Sequence, residues 1–149
     1  EEGVVDDIVL AGRKGWKMND FLSGYQEEFL SHVYFTGFVD DEDLPAIYKM
    51  AKLFVFPSQY EGFGIPPLEA MACGTRVVSS DAASMPEVLG NAAVYFKSKN
   101  LPALKIVLKN ELNLVEGNST FAESGIQQAK KFNWNNEAVK LICFFCECQ

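Results

Sequence analysis

Glu61 and Glu69, with seven residues between them and Gly62 and Gly64 in the interval, are the residues whose types and spacing could do chemistry. The glycines lack a Cβ, so a backbone carrying them can turn sharply and approach a ligand closely. Pro66 and Pro67 suit the first turn of a helix, where a missing N–H would have had no partner, and Gly74 supplies a stop. The N–H groups at such a helix start, with the helix dipole behind them, favour a phosphate. Acids beside a phosphate would repel it unless they accept hydrogen bonds from another part of the ligand, and the hydroxyls of a sugar or ribose are the donors that fit. Each acid alone has an ordinary reading. A loop acid is solvated, and an acid in a helix's first turn, where Glu69 is expected, favours the dipole by roughly 0.3–1 kcal/mol. The pair in this register is harder to explain that way.

These residues need a strand, a glycine loop and a helix to position them. Leu53 to Phe56 is an apolar run without alternation, as expected of a strand covered on both faces of a parallel sheet, and Pro57 and Ser58 end it. Upstream, Ile8 to Gly12 reads as a strand followed by the basic turn Arg13-Lys14-Gly15-Trp16-Lys17. Ligands of open parallel sheets bind beyond the carboxyl ends of the strands, so this turn is either a diphosphate contact or a solvated turn. Met18 to Leu30 reads as one helix weakened by Gly24, and Val33 to Gly37 as the next strand. His32, just before that strand, is read as a surface or strand-edge histidine. Asp40-Asp41-Glu42-Asp43 leads into a helix from Leu44 to Ala51; adjacent acids cap a helix start better than they converge on a metal. Beyond Gly74, Arg76 to Ser79 is a strand, Ser84-Met85-Pro86-Glu87 has the form of a capping box, and Ala93 to Phe96 is the last strand. Helices are expected over Leu101 to Asn113, Thr120 to Lys131 and Asn135 to Cys146. The alternation predicts an α/β class: a Rossmann-like, mostly parallel sheet with flanking helices.

The segment Glu61-Gly62-Phe63-Gly64-Ile65-Pro66-Pro67-Leu68-Glu69-Ala70-Met71-Ala72-Cys73-Gly74-Thr75 resembles the Glu-x7-Glu signature of the family 4 retaining glycosyltransferases, which have the two-domain GT-B fold. The resemblance runs with fading strength from Val5 to Trp134. It implies that residues 1–149 are a partial C-terminal, nucleotide-sugar-binding domain, with the acceptor domain and the first strand of this domain outside the chain. It implies transfer of a hexose, of mannose or glucose type, from a nucleotide diphosphate sugar to a saccharide or lipid-linked acceptor with retention of configuration, in polysaccharide or glycoconjugate biosynthesis. Glu61 would be the catalytic residue, contacting the transferred sugar. The backbone of Gly62, Phe63, Gly64 and Ile65 would meet the sugar and distal phosphate, and Glu69 the ribose hydroxyls. Gly12 and Lys14 are assigned to donor binding, although by spacing their turn resembles the one after the family's second strand, not the first. Val39 would border the base through its backbone. No metal or other cofactor is implied, because basic side chains and helix N–H groups stabilise the leaving diphosphate. Glu61 is not read as a covalent nucleophile, which would need a second carboxyl about 5–5.5 Å away across the bond. Gly15-Trp16 resembles mannosyltransferase members. Arg76 departs from the family's usual proline, and Ala129 to Trp134 resembles the junction before a last helix that crosses to the partner domain.

Composition sets the bounds. The 149 residues make one domain's worth of chain, and 48% apolar residues suffice for a single core. A net charge of −7 disfavours nucleic acid and an anionic membrane surface as partners. No apolar run nears the ~18 residues of a membrane span, which leaves peripheral membrane association of the full protein open. Cys73 reads as a small buried hydrophobe. Cys143, Cys146 and Cys148 lack a fourth ligand nearby and read as part of an apolar terminal segment with reduced thiols, in keeping with a cytoplasmic location. The chain alone is expected to be inactive. The alternatives are a non-catalytic nucleotide-sugar-binding module and an inactive fragment.

Overall fold

The structure is a computed structural model that describes residues 7–15, 18–114 and 119–147, and it divides into two compact units, residues 1–44 and 45–149. In the first unit β1 (Ile8–Ala11) pairs in parallel with β2 (Val33–Gly37), Ile8 opposite Val33 and Leu10 opposite Phe35, with a register shift before Ala11. The segment between them is not one helix. It forms α1 (Met18–Leu22) and α2 (Glu27–Leu30), broken at Ser23–Gln26, where Gly24 and the Ser23 hydroxyl bonded back to Asp20 O end the first piece. Phe21, Tyr25 and Phe29 pack with tilted rings along the two pieces, centroids 5.1 and 5.2 Å apart.

The second unit holds the core. Its sheet has the order β3 (Phe54–Phe56), β4 (Val77–Ser80), β5 (Val94–Phe96), all parallel, with Phe56 opposite Ser79 and Ser80 opposite Phe96. The strands therefore form two parallel sheets, where the sequence suggested one. Fully buried β4 is the central strand; β3, expected to be covered on both faces, is an edge strand of this sheet and only half-buried. Helix α3 (Leu44–Met50) precedes β3, α4 (Ile65–Ala72) joins β3 to β4, and α5 (Met85–Leu89) with a 3-10 turn (Gly90–Ala92) joins β4 to β5. Then come α6 (Leu101–Leu112), α7 (Ser119–Ala129) and α8 (Trp134–Glu147), within a residue or two of the spans read from the sequence.

Met71, Met85, Leu89, Val77 and Val88 make the core, each at 3% exposure or less. Burying side chains of this size stabilises by roughly 1.5–3 kcal/mol each. Helix α7 comes close to α4 because Gly125 has no side chain: a Cβ there would stand 3.2 Å from Met71 Cγ. Arg76 takes a structural role, its Nε 3.3 Å from Glu111 Oε2 and its guanidinium 5.3 Å from the centroid of Phe121. Every described side chain of α8 is exposed, including Trp134, Ile142, Phe144 and Phe145, as are Cys143 and Cys146; Cys148 lies outside the described residues. Cys73, expected to be buried, is only partly so. Among the described residues no helix is long and apolar enough to cross a membrane.

Candidate functional site

Residues 57–64 leave the carboxyl end of β3 and return into α4, so the loop lies at the carboxyl edge of the sheet. Gly64 is its hinge. It is buried, with φ of +99°, which favours glycine, and a Cβ there would have to displace the end of the Met85 side chain. Gly62 has open space around it and no positive φ, so the sharp turn belongs to Gly64 alone. Pro66 and Pro67 occupy the first turn of α4 and have no N–H, which leaves Ile65 as the only one of the first three helical residues able to donate to a phosphate. At its other end α4 closes with a Schellman arrangement: Gly74 (φ +79°) donates to Met71 O at 3.0 Å and Thr75 N–H to Ala70 O at 2.9 Å.

The two glutamates are each held by a hydroxyl. Ser58 Oγ donates to Glu61 Oε1 at 2.9 Å, with Tyr60 O 3.2 Å away. Ser58 is itself pinned by the fully buried Ser80, whose hydroxyl donates to Ser58 O across the β3–β4 register. Glu69 lies in the second turn of α4, not the first, so the dipole explanation loses most of its force. Its Oε2 accepts from Tyr48 Oη at 2.9 Å. Burial first, then the Glu69 carboxylate, push the Tyr48 phenol far above its ordinary range, so it stays a donor at any working pH.

Ser84 corrects a second expectation. It stands at the N-cap of α5 but makes no side-chain cap. Its Oγ instead lies 3.1 Å from Glu61 O and 3.2 Å from Phe63 O, holding the carbonyls on either side of Gly62. Phe63 packs edge-on against Phe132 at 5.3 Å. Sequence reading thus missed the roles of Tyr48 at Glu69 and of Ser58 at Glu61, and gave Ser84 a cap in place of its loop contacts. Ser58, three residues before Glu61 at a strand end, was the one with a local signal.

The second unit therefore brings together Glu61, Gly62, Phe63, Gly64, Ile65 and Glu69. Gly12, Lys14 and Val39 belong to the first unit. Gly12 (φ +122°) already donates its N–H to Gly37 O at 3.0 Å, with Thr36 Oγ1 at 3.3 Å. Lys14 Nζ lies 4.7 Å from the centroid of the Phe35 ring, and the Arg13 guanidinium 5.5 Å from that of Phe38. Val39 is half-buried just beyond Gly37, and Trp16 and Lys17 lie outside the described residues. His32 pairs with Asp7 at 3.0 Å on the surface. No group of three metal-ligating side chains occurs among the described residues.

The sequence profile of the glycosyl transferases group 1 matches residues 7–131. The chain belongs to this family. It is 38% identical over 140 residues to O-antigen chain mannosyltransferase B of Escherichia coli, covering 91% of this chain and 36% of that protein. It is 35% identical over 114 residues to the O-antigen chain mannosyltransferase RfbU of Salmonella typhimurium, covering 76% and 32%. The chain thus spans about a third of these relatives. Among solved structures, sucrose-phosphate synthase from Thermosynechococcus elongatus superposes with a TM-score of 0.78 at 22% identity, over 94% of this chain and 38% of that one. HepE of Anabaena, solved in complex with UDP, gives 0.78 at 18% identity over 97% and 41%. The fold of the chain is accordingly that of these GT-B neighbours.

Proposed function

We propose that the chain is the donor-binding part of a retaining hexosyltransferase that takes its sugar from a nucleotide diphosphate and passes it to a saccharide or lipid-linked acceptor in the cytoplasm. The observation that carries this reading is the pair of glutamates held by hydroxyls on either side of a buried, left-handed Gly64. Acceptor oxygens at both ends of a turn and a helix N–H between them match a ligand with hydroxyls at both ends and phosphate in the middle. Glu61 contacts the transferred sugar. The backbone of Gly62, Phe63, Gly64 and Ile65 meets the sugar and distal phosphate, and Glu69 accepts from the ribose hydroxyls. The assignment of Gly12 and Lys14 to the diphosphate, and of Val39 to the base, rests on the sequence. The leaving diphosphate needs its developing charge stabilised, and no metal or other cofactor is invoked for that step. The O-antigen mannosyltransferases among the relatives support a mannose-type donor and a role in polysaccharide synthesis.

Calorimetric titration with UDP, GDP and their glucose and mannose conjugates tests this reading. Selective binding that is lost in Glu69→Ala supports it and names the nucleotide. Glu61→Ala should leave the nucleotide affinity in place and damage turnover in the full-length enzyme. Equal losses of binding in both variants would contradict the division of roles.

A further inference from the structure

We propose that Tyr48 is a positioning residue that sets the plane of the Glu69 carboxylate and so lets the site tell ribose from deoxyribose; this rests on the ribose role proposed for Glu69. Glu69 is exposed on the second turn of α4, where a glutamate has three freely rotating bonds and no neighbour of its own helix to fix it. Tyr48 supplies what the helix does not. Its hydroxyl donates to Oε2 at 2.9 Å, taking one of the carboxylate's four acceptor positions and leaving both lone pairs of Oε1 for a ligand. The tyrosine can do this because it is anchored at three points. Its ring packs edge-on against Phe54 of β3 at 5.4 Å, its carbonyl accepts from the buried Thr75 Oγ1 just beyond α4, and its body packs against the hydrophobic core. The strand before the glycine loop and the residue closing the helix after it therefore both fix the donor that aims Glu69. An aimed acceptor discriminates better than a mobile one, because less rotamer freedom is lost when the ligand hydroxyl arrives.

The test is calorimetry with UDP, GDP and their 2′-deoxy counterparts on the wild-type protein, Tyr48→Phe, Glu69→Ala and the double variant. Phenylalanine keeps the ring on Phe54, so the variant folds, and its melting curve checks this. Tyr48→Phe should weaken the ribonucleotide by roughly three- to tenfold, the worth of one net hydrogen bond, and the 2′-deoxynucleotide distinctly less, since only its 3′-hydroxyl is left for Glu69. On the Glu69→Ala background it should add no further loss, since a residue acting through Glu69 has nothing left to position. A parallel loss for ribo- and deoxynucleotide, or an additive loss in the double variant, would show a merely structural tyrosine and overturn the proposal. Wild-type protein that binds both sugars equally well would refute a 2′-hydroxyl contact by Glu69 and with it the proposal. Glu69→Ala that binds the ribonucleotide as wild type does would refute the ribose role of Glu69 itself, and wild-type protein that binds no nucleotide would refute the donor-site reading.

Discussion

Ile8, Val9 and Leu10 in β1 are as apolar as Val77 and Val78 in β4, yet the first three are 40–54% exposed and the second two 1% or less. Neighbours make the difference. β4 is hydrogen-bonded on both sides, by β3 and β5, and Met71, Met85, Val88 and Leu89 from the flanking helices close over the second unit's core. β1 pairs with β2 in a two-stranded sheet. Burial is thus a property of the strand's place in its sheet, and the loop bearing Glu61 hangs from the sheet that has it. A core variant separates the two units most sharply. Met71→Ala should cost roughly 2–5 kcal/mol in urea denaturation, since it deletes a fully buried side chain that α7 packs upon. Val9→Ala, on the exposed strand, should stay within roughly 0.5 kcal/mol. Comparable losses would mean that β1 is covered in solution.

The glycines sharpen the contrast at single positions. Gly64 and Gly37 both have positive φ, so alanine is strained at either by about 1 kcal/mol. Around Gly37 a Cβ would meet nothing within 4 Å, whereas at Gly64 it would meet the end of the buried Met85 side chain, adding the cost of shifting that end within a packed core. Gly64→Ala should therefore destabilise more than Gly37→Ala and also reduce nucleotide affinity by moving the start of α4. If the two alanines melt alike, Met85 yields without cost and the loop is softer than its burial indicates.

A smaller effect is expected at Ser58. Loss of its hydroxyl removes one hydrogen bond, worth about 1 kcal/mol, but frees the Glu61 carboxylate. Ser58→Ala should lower turnover of the full-length enzyme while nucleotide affinity holds, and Ser58→Thr, which keeps the hydroxyl, should restore most of it. Thr36→Val in the first unit, at an exposed hydroxyl bonded to the Gly12 N–H and to Gly37 O, should leave both readouts near wild type. A Ser58→Ala enzyme with normal turnover would show that Glu61 needs no such support.

Most of the second unit was legible because its signals are local. Pro66 and Pro67 start α4, Gly74 ends it, and an unbroken apolar run made β3. Partnership was less legible, because it is decided in three dimensions. Ser84 carries every local mark of an N-cap, yet its hydroxyl is better satisfied by two carbonyls of a loop more than twenty residues away. Tyr48 reads as an ordinary apolar face of α3 until the fold sets its hydroxyl on Glu69. The split of the helix between Met18 and Leu30 was half legible: Gly24 marked the weak point, but periodicity carried the pattern across it.

The smallest effect concerns a charge at the same carboxyl edge. Asp81 follows β4 and accepts the Ser98 N–H at 2.8 Å and Lys97 Nζ at 3.0 Å, both just beyond β5. The backbone N–H first, and the lysine second, hold its carboxyl below the usual range. A group lowered in the folded state stabilises above its unfolded value, and that contribution is lost as pH falls through the folded value. Wild-type protein should therefore lose melting temperature more steeply than Asp81→Asn on acidification from about pH 5 to about pH 3. The gap should narrow in high salt, because the Lys97 share is a screened surface pair, but it should not close, because the Ser98 N–H is a dipole held by the backbone. Parallel acid profiles for the two proteins would mean that these bonds do not favour the ionised carboxylate over the neutral side chain.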